Sequence, residues 1–195
     1  MSNKIHAPLV VLETPRLFLR PMSDSDGPLV VKWRNSKHVA SMSVRSRQAN
    51  LTVEEHQAWF SRSRSERVDY VIELRDGLQP IGSLSWVWHK LSDATLCAEC
   101  GKYIGDPLAL GKGYATEAAI RWVQYAFQDV GIDFLIAITR FDNTPNIKLN
   151  EKIGFVVRPW PEQLERTSDN WVFMSLKKQE WLQMRKLGKG NDHAT

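Results

Sequence analysis

Leu110 to Glu117, Leu-Gly-Lys-Gly-Tyr-Ala-Thr-Glu, is the stretch whose residue types and spacing point most directly to chemistry. Gly111 and Gly113 let the backbone approach a ligand closely. An amphipathic stripe follows at once, so the glycines open a helix whose first N–H groups lie unpaired at the positive end of its dipole. Such a turn binds a diphosphate without needing a charged side chain. It is not a Walker loop, because no Gly-Lys-Ser/Thr end follows at the right spacing. It is not a dinucleotide fingerprint either, because the Gly-x-Gly-x-x-Gly pattern fails at Thr116. On its own the segment also fits an ordinary glycine-rich turn. The remaining reactive side chains form no comparable group. Cys97 and Cys100 make one Cys-x-x-Cys, but on a strand residues i and i+3 point to opposite faces, and no second pair completes a zinc site. Neither a metal nor a redox centre is expected. His38, His56 and His89 are scattered without ligand spacing.

The elements that position the loop follow from periodicity. Leu17-Phe18-Leu19-Arg20-Pro21 reads as a short strand ended by proline. Asp24 or Ser25 is the expected N-cap of a first helix carrying Leu29, Val30 and Trp33. Ser41 to Asn50 is polar and basic and reads as a loop. Thr52 with Glu55 has capping-box spacing and opens a helix bearing His56, Trp59 and Phe60. Tyr70–Leu74, Ile81–Trp88 and Thr95–Ile104 are three successive antiparallel strands, the first two joined by an Asp76-Gly77 turn. Ala118, Ala119, Trp122, Val123, Ala126, Phe127 and Val130 form the stripe of a long helix stopped by Gly131. Phe134–Thr139 is a continuous apolar run, the mark of a buried strand such as a parallel one. A helix over Asn143–Ile153, strands at Phe155–Val157 and Trp171–Leu176, and a helix over Gln179–Leu187 complete the chain. The fold class is α+β, a mixed and mainly antiparallel twisted sheet flanked by helices.

Composition narrows the classes further. The chain has 195 residues, 43% hydrophobic and 25% charged, enough for one domain over residues 1–187 with a polar, mobile tail at 188–195. No run of about 18 apolar residues could span a membrane. Met1 to Pro8 lacks a basic segment followed by an apolar one, so no secretion signal is expected. Two cysteines make no disulfide framework, which points to a cytoplasmic protein. A net charge of +4 suits anionic small molecules or acidic partners and is too mild to indicate nucleic acid. Eight tryptophans are many for one core, so several are expected to line a cleft or an interface, and a homodimer is plausible.

Two elements of this pattern resemble a known superfamily. Leu110-Gly111-Lys112-Gly113-Tyr114-Ala115 is similar to the acetyl-CoA loop of the GNAT acyltransferases, Q/R-x-x-G-x-G/A. Asp142-Asn143, followed by Leu149-Asn150-Glu151-Lys152-Ile153-Gly154-Phe155, resembles their second element about 30 residues on. Thr14 to Pro21 and Ala98 to Ile104 resemble strands of the branch that contains the Rim ribosomal-protein N-terminal acetyltransferases. The likeness covers roughly residues 13 to 182. Three positions depart from it. Leu110 replaces the usual Gln/Arg, so Lys112 or another nearby base would have to compensate; Asn146 replaces a Ser; and Asn150 replaces the Tyr that often protonates the departing thiolate. An amide is no general acid at neutral pH.

The resemblance implies an N-acetyltransferase using acetyl-CoA as co-substrate. An amine attacks the thioester directly, and a backbone N–H near Tyr103, Ile104 and Gly105 stabilises the carbonyl oxygen. Glu99 is the implied general base, the alternative being a structural carboxylate paired with a neighbouring base. Tyr103, Ile104, Leu110, Gly111, Lys112, Gly113, Tyr114, Ala115, Thr116 and Asn143 would hold the cofactor; for Asn143 a helix N-cap is an equally good use. Lys32-Trp33-Arg34-Asn35 and the block Glu54 to Phe60 resemble the amino-sugar N-acetyltransferases of the pseudaminic acid pathway, which act on a UDP-linked 4-amino sugar. Trp33, Arg34, His56 and Trp86 are the expected acceptor residues, with Arg45 and Arg47 as further diphosphate partners. Trp33 and Trp59 also suit a core, and Arg62, Arg64 and Arg67 a solvated face. A protein N-terminus is the rival acceptor. A catalytically inactive acyl-CoA-binding module is the alternative of a different class.

Overall fold

The computed structural model describes residues 9–42, 50–90, 96–162, 164, 166 and 168–188. The expected tail beyond residue 188, most of the loop before Asn50, and with it Arg45 and Arg47, lie outside the described residues.

Among the described residues there are eight strands and six α-helices. They are β1 (Leu12–Glu13), β2 (Leu17–Pro21), α1 (Gly27–Asn35), α2 (Lys37–Ala40), α3 (Val53–Ser63), β3 (Arg67–Leu74), β4 (Pro80–Lys90), β5 (Leu96–Ile104), α4 (Tyr114–Tyr125), β6 (Phe134–Arg140), α5 (Thr144–Lys152), β7 (Val156–Val157), β8 (Trp171–Lys177) and α6 (Lys178–Lys186). The strands form one sheet in the order β1-β2-β3-β4-β5-β6-β8-β7. Every neighbouring pair is antiparallel except β5–β6. This is the α+β sheet expected, and the apolar run of β6 is the parallel strand.

Local signals account for most boundaries. Thr52 and Glu55 form the capping box of α3, with Glu55 N–H donating to Thr52 Oγ1 at 3.2 Å and Thr52 N–H donating to Glu55 Oε2 at 2.8 Å. The start of α1 differs from expectation. Ser23 caps a single tight turn, Asp24–Asp26, and the α-helix begins only at Gly27, with Pro28 in its first turn, where no amide donor is needed. The buried Asp26 carboxylate accepts from Ser23 N–H and, bidentately, from Arg20, whose Nε donates to Glu73 at 2.9 Å. This network pins the entry of α1 to β2 and β3.

The core lies between the sheet and α4. Trp86 stacks on Trp122 at 3.9 Å between ring centroids, with Tyr70 and Tyr125 beside them. Trp181 of α6 meets Phe127 at the end of α4. Trp33, Trp86, Trp122 and Trp181 are all buried, so half of the tryptophans serve packing rather than a cleft.

The β5–β6 pairing sets up the site. It spans only Cys97↔Phe134, Ala98↔Leu135 and Glu99↔Ile136. Beyond Glu99 the two strands separate, and residues 100–104 keep β4 as their partner on one side while facing a gap on the other.

Candidate active site

The gap between β5 and β6 opens into a cavity of about 570 Å³, within the range of small-molecule sites. Strand alternation decides which side chains enter it. The β3–β4–β5 register places Asp69, Ser85 and Gly101 in one row and Arg67, Val87 and Glu99 in the next, all on the face that carries α1 and α3. Trp86 and Cys100 occupy the intervening row and face α4. The acceptor side of the cavity is therefore polar, and small residues keep it open: a Cβ at Gly101 would come within 2.5 Å of Ser85 Oγ.

Glu99 lines this cavity and shares a hydrogen bond with His89 Nε2 at 2.9 Å. The carboxylate thus faces the cavity and has the paired neighbour of the structural alternative. Arg34, His38, His56, Trp59, Arg67, Asp69 and Tyr103 line the same side. Arg67 grips Asp69 through both carboxylate oxygens, at 2.5 and 2.6 Å, and lies over the Trp59 ring, 4.4 Å from its centroid. It belongs to the cavity and not to the solvated face expected for it. His56 is 2% exposed, stacks on Phe60, and has neither ring nitrogen hydrogen-bonded among the described residues. Burial, reinforced by the Arg34 charge, lowers its pKa, so its ring stays neutral. Burial pushes the Tyr103 phenol up to about 12, which keeps it a neutral hydrogen-bonding group.

Two expected acceptor residues are corrected. Trp86 is wholly buried against Trp122, on the face away from Glu99. Trp33 is 4% exposed and packs on the backbone of Gly105, where a Cβ would sit 2.1 Å from its ring. Its edge contact with Tyr103, at 6.2 Å, fixes α1 against the end of β5. Both rings shape the site from behind and neither lines it.

The far side of the cavity is the candidate cofactor side. Ile104, Leu110, Ala115, Asn143 and Asn146 line it. Gly111, Lys112, Gly113, Tyr114 and Thr116 make the adjoining turn and first turn of α4. Gly111 and Gly113 have φ of 73° and 81°, conformations that L side chains rarely adopt. Gly113 is the N-cap of α4 and supplies no side-chain cap, so the first amides of the helix are left for a ligand. Asn143 serves as an N-cap, accepting from Asn146 N–H at 3.3 Å, and also faces the cavity.

Arg16 emerges as a partner of this turn. Its Nη1 donates to the Lys112 carbonyl at 3.0 Å and its guanidinium lies over Tyr114. Glu117 holds it in place, accepting from Arg16 Nε at 2.6 Å, Arg16 N–H at 2.9 Å and Thr14 Oγ1 at 2.6 Å. Burial alone would raise the Glu117 pKa, but these donors outweigh it and the carboxyl is held below its ordinary value. Arg16 thus sets the loop geometry and brings a cation beside Gly113, close to the position where Leu110 lacks one. We expect Arg16→Ala to weaken binding of CoA, the ligand expected at this turn, by about 10- to 100-fold with little change in fold, since a charge-assisted contact is worth about 1.5–3 kcal/mol. Isothermal titration with CoA checks this.

Cys97 and Cys100 face opposite sides of β5, and burial pushes both thiols up to about 12. Among the described residues no group of three or more His, Cys, Asp or Glu is placed to hold a metal ion. No described helix is long and apolar enough to cross a membrane.

Residues 16–156 match the acetyltransferase (GNAT) domain. The chain belongs to this family. It is 28% identical over 179 residues to the uncharacterized N-acetyltransferase YoaA of Bacillus subtilis (strain 168), covering 87% of this chain and 98% of YoaA. The GNAT fold is shared with solved structures of diverse function. Apo FdhC, a nucleotide-linked sugar GNAT, superposes with a TM-score of 0.72 at 14% identity, covering 92% of this chain and 96% of FdhC. Mycobacterium smegmatis RimJ, solved with CoA-disulfide, superposes with a TM-score of 0.71 at 19% identity, covering 92% and 94%. The protein is therefore a GNAT acetyltransferase.

Proposed function

We propose that this GNAT protein transfers the acetyl group of acetyl-CoA to the primary amine of a small anionic acceptor, such as a nucleotide-linked amino sugar. The carrying observation is the cavity itself, which joins the α4 turn to an acceptor side lined by Arg34, Arg67, Trp59 and the unpartnered His56. The Arg34 guanidinium and the Trp59 indole suit a phosphorylated, ring-bearing ligand, while Arg67 is committed to Asp69.

The residues present fit acetyl-CoA. The amides at the start of α4 would receive the diphosphate, with Arg16 and Lys112 beside them. The β5 edge beyond Glu99, unpaired toward β6, offers backbone groups to the pantetheine arm. Glu99 accepts the proton that the attacking amine must lose, and its hydrogen bond to His89 orients it. A backbone N–H in the Tyr103–Gly105 stretch would donate to the developing oxyanion.

The test is free-thiol release from acetyl-CoA with a UDP-4-amino sugar and, in parallel, with N-terminal peptides. Faster turnover with the sugar supports the small-acceptor reading. Faster turnover with peptides replaces it with the RimJ-like one. Acetyl-CoA binding without turnover on any amine returns the inactive binding module.

A further inference from the structure

Direct attack leaves a thiolate as well as a protonated amine, and Glu99 deals only with the amine. The fold presents a second titratable group on the opposite face of the same strand. Lys102 is three residues beyond Glu99 on β5, so its side chain points away from the acceptor and toward α5. It lines the same cavity, with Ala115 of α4 and Asn146 and Leu149 of α5 beside it. Its Nζ donates to Asn150 Oδ1 at 2.5 Å. Asn150 is 0% exposed, and its amide is directed by a contact from Nδ2 to Met174 Sδ at 3.6 Å. No carboxylate among the described residues forms an ion pair with Lys102. An ammonium partly withdrawn from water without a counter-charge is costly, which points to a use beyond its bond to Asn150.

We propose that Lys102, held by Asn150, is the general acid that protonates the thiol leaving group of CoA. The inference rests on the acetyl-transfer reading and extends it. The amine nitrogen forms a bond to the acetyl carbon from the Glu99 side. The C–S bond breaks, sulfur keeps the electron pair, and Lys102 Nζ gives it a proton. The products are the amide, CoA thiol and a neutral lysine. The proton lost by the amine leaves through Glu99, and solvent reprotonates Lys102. Burial supports the role by bringing the ammonium down to about 8, near the ordinary thiol value of about 8.5. The groups facing Nζ are the neutral Asn150 amide of α5 and, from β5 itself, Cys100, whose raised pKa keeps it a neutral thiol. Among the described residues no other charged group faces Nζ, so between about pH 6 and 9 the titrating pair is Lys102 and the CoA thiol.

The test uses CoA itself as probe. The ionisation of its thiol, bound to the full-length protein, is followed by thiolate absorbance against pH, alongside the Kd for CoA. In the wild type the bound thiol should ionise below its free value. Lys102→Met should raise that ionisation by about one pH unit or more, with the Kd changed by less than about threefold. Lys102→Arg keeps the charge and should keep the ionisation low. Both variants should lose about 10²-fold in kcat on whichever acceptor, UDP-4-amino sugar or peptide, is turned over, because a guanidinium does not release its proton. Should the Met variant fail to fold, Lys102→Gln, which keeps a donor to Asn150, is read in the same way. An unchanged thiol ionisation in the folded variant, or full kcat in Lys102→Arg, overturns the inference and leaves acetyl transfer standing. Failure of the wild type to bind CoA overturns the acetyl-CoA reading itself.

Discussion

Glu99→Gln should lower kcat for acetyl transfer by about 10²- to 10⁴-fold while leaving the Kd for CoA unchanged. The amide has nearly the shape of the carboxylate and can still hydrogen-bond His89, so the fold and the cavity wall should survive. What it lacks is a basic oxygen to take the amine proton. Steady-state kinetics with free-thiol detection, paired with calorimetric CoA titration, separates the two effects. Raising the pH supplies more neutral amine from solution and should recover part of the lost rate in Glu99→Gln. A variant with wild-type kcat would make Glu99 a purely structural partner of His89.

Gly113→Val should remove CoA binding, with a Kd raised by about 100-fold or more. Gly113 has φ of 81° and caps α4 with its backbone alone. A β-branched side chain is strained at that φ, and it would also project beside the Arg16 guanidinium, which lies 3.5 Å from an added Cβ. The turn would have to change shape, and the amides that point at a diphosphate would no longer converge. The loop is at the surface and remote from the Trp86–Trp122 stack, so denaturant stability should change by only about 1–2 kcal/mol. Tight CoA binding by a folded Gly113→Val protein would remove the loop assignment.

Much of this architecture is written in local pattern. The Thr52–Glu55 box, the stripe of α4 carried on through a π-helical turn at Ala126–Val130 to the stop at Gly131, and the uninterrupted apolar run of β6 each depend on neighbours within about one or two helical turns. The glycine turn is legible for the same reason. What escaped the sequence reading depends on partners far along the chain. Arg16 meets Glu117 across 101 residues, and Lys102 meets Asn150 across 48, so neither pairing leaves a periodic trace. Trp33 and Trp86 face the core while Trp59 lines the cavity, because residue type reports size and not direction. A signal for Trp86 was nonetheless present. Leu84, Trp86 and Trp88 alternate with Ser83, Ser85 and Val87, and a strand with that pattern turns its large residues to the core. Asp69 and Arg67 on β3 follow from the same alternation once the register is known.

The most direct measurement is a crystal structure of the protein with CoA. The account predicts the diphosphate against the first amides of α4 beside Gly111 and Gly113, the pantetheine arm in the gap between β5 and β6, and the thiol between Glu99 on one side and Lys102 on the other. CoA bound elsewhere, or in that gap with its thiol remote from both side chains, would contradict it.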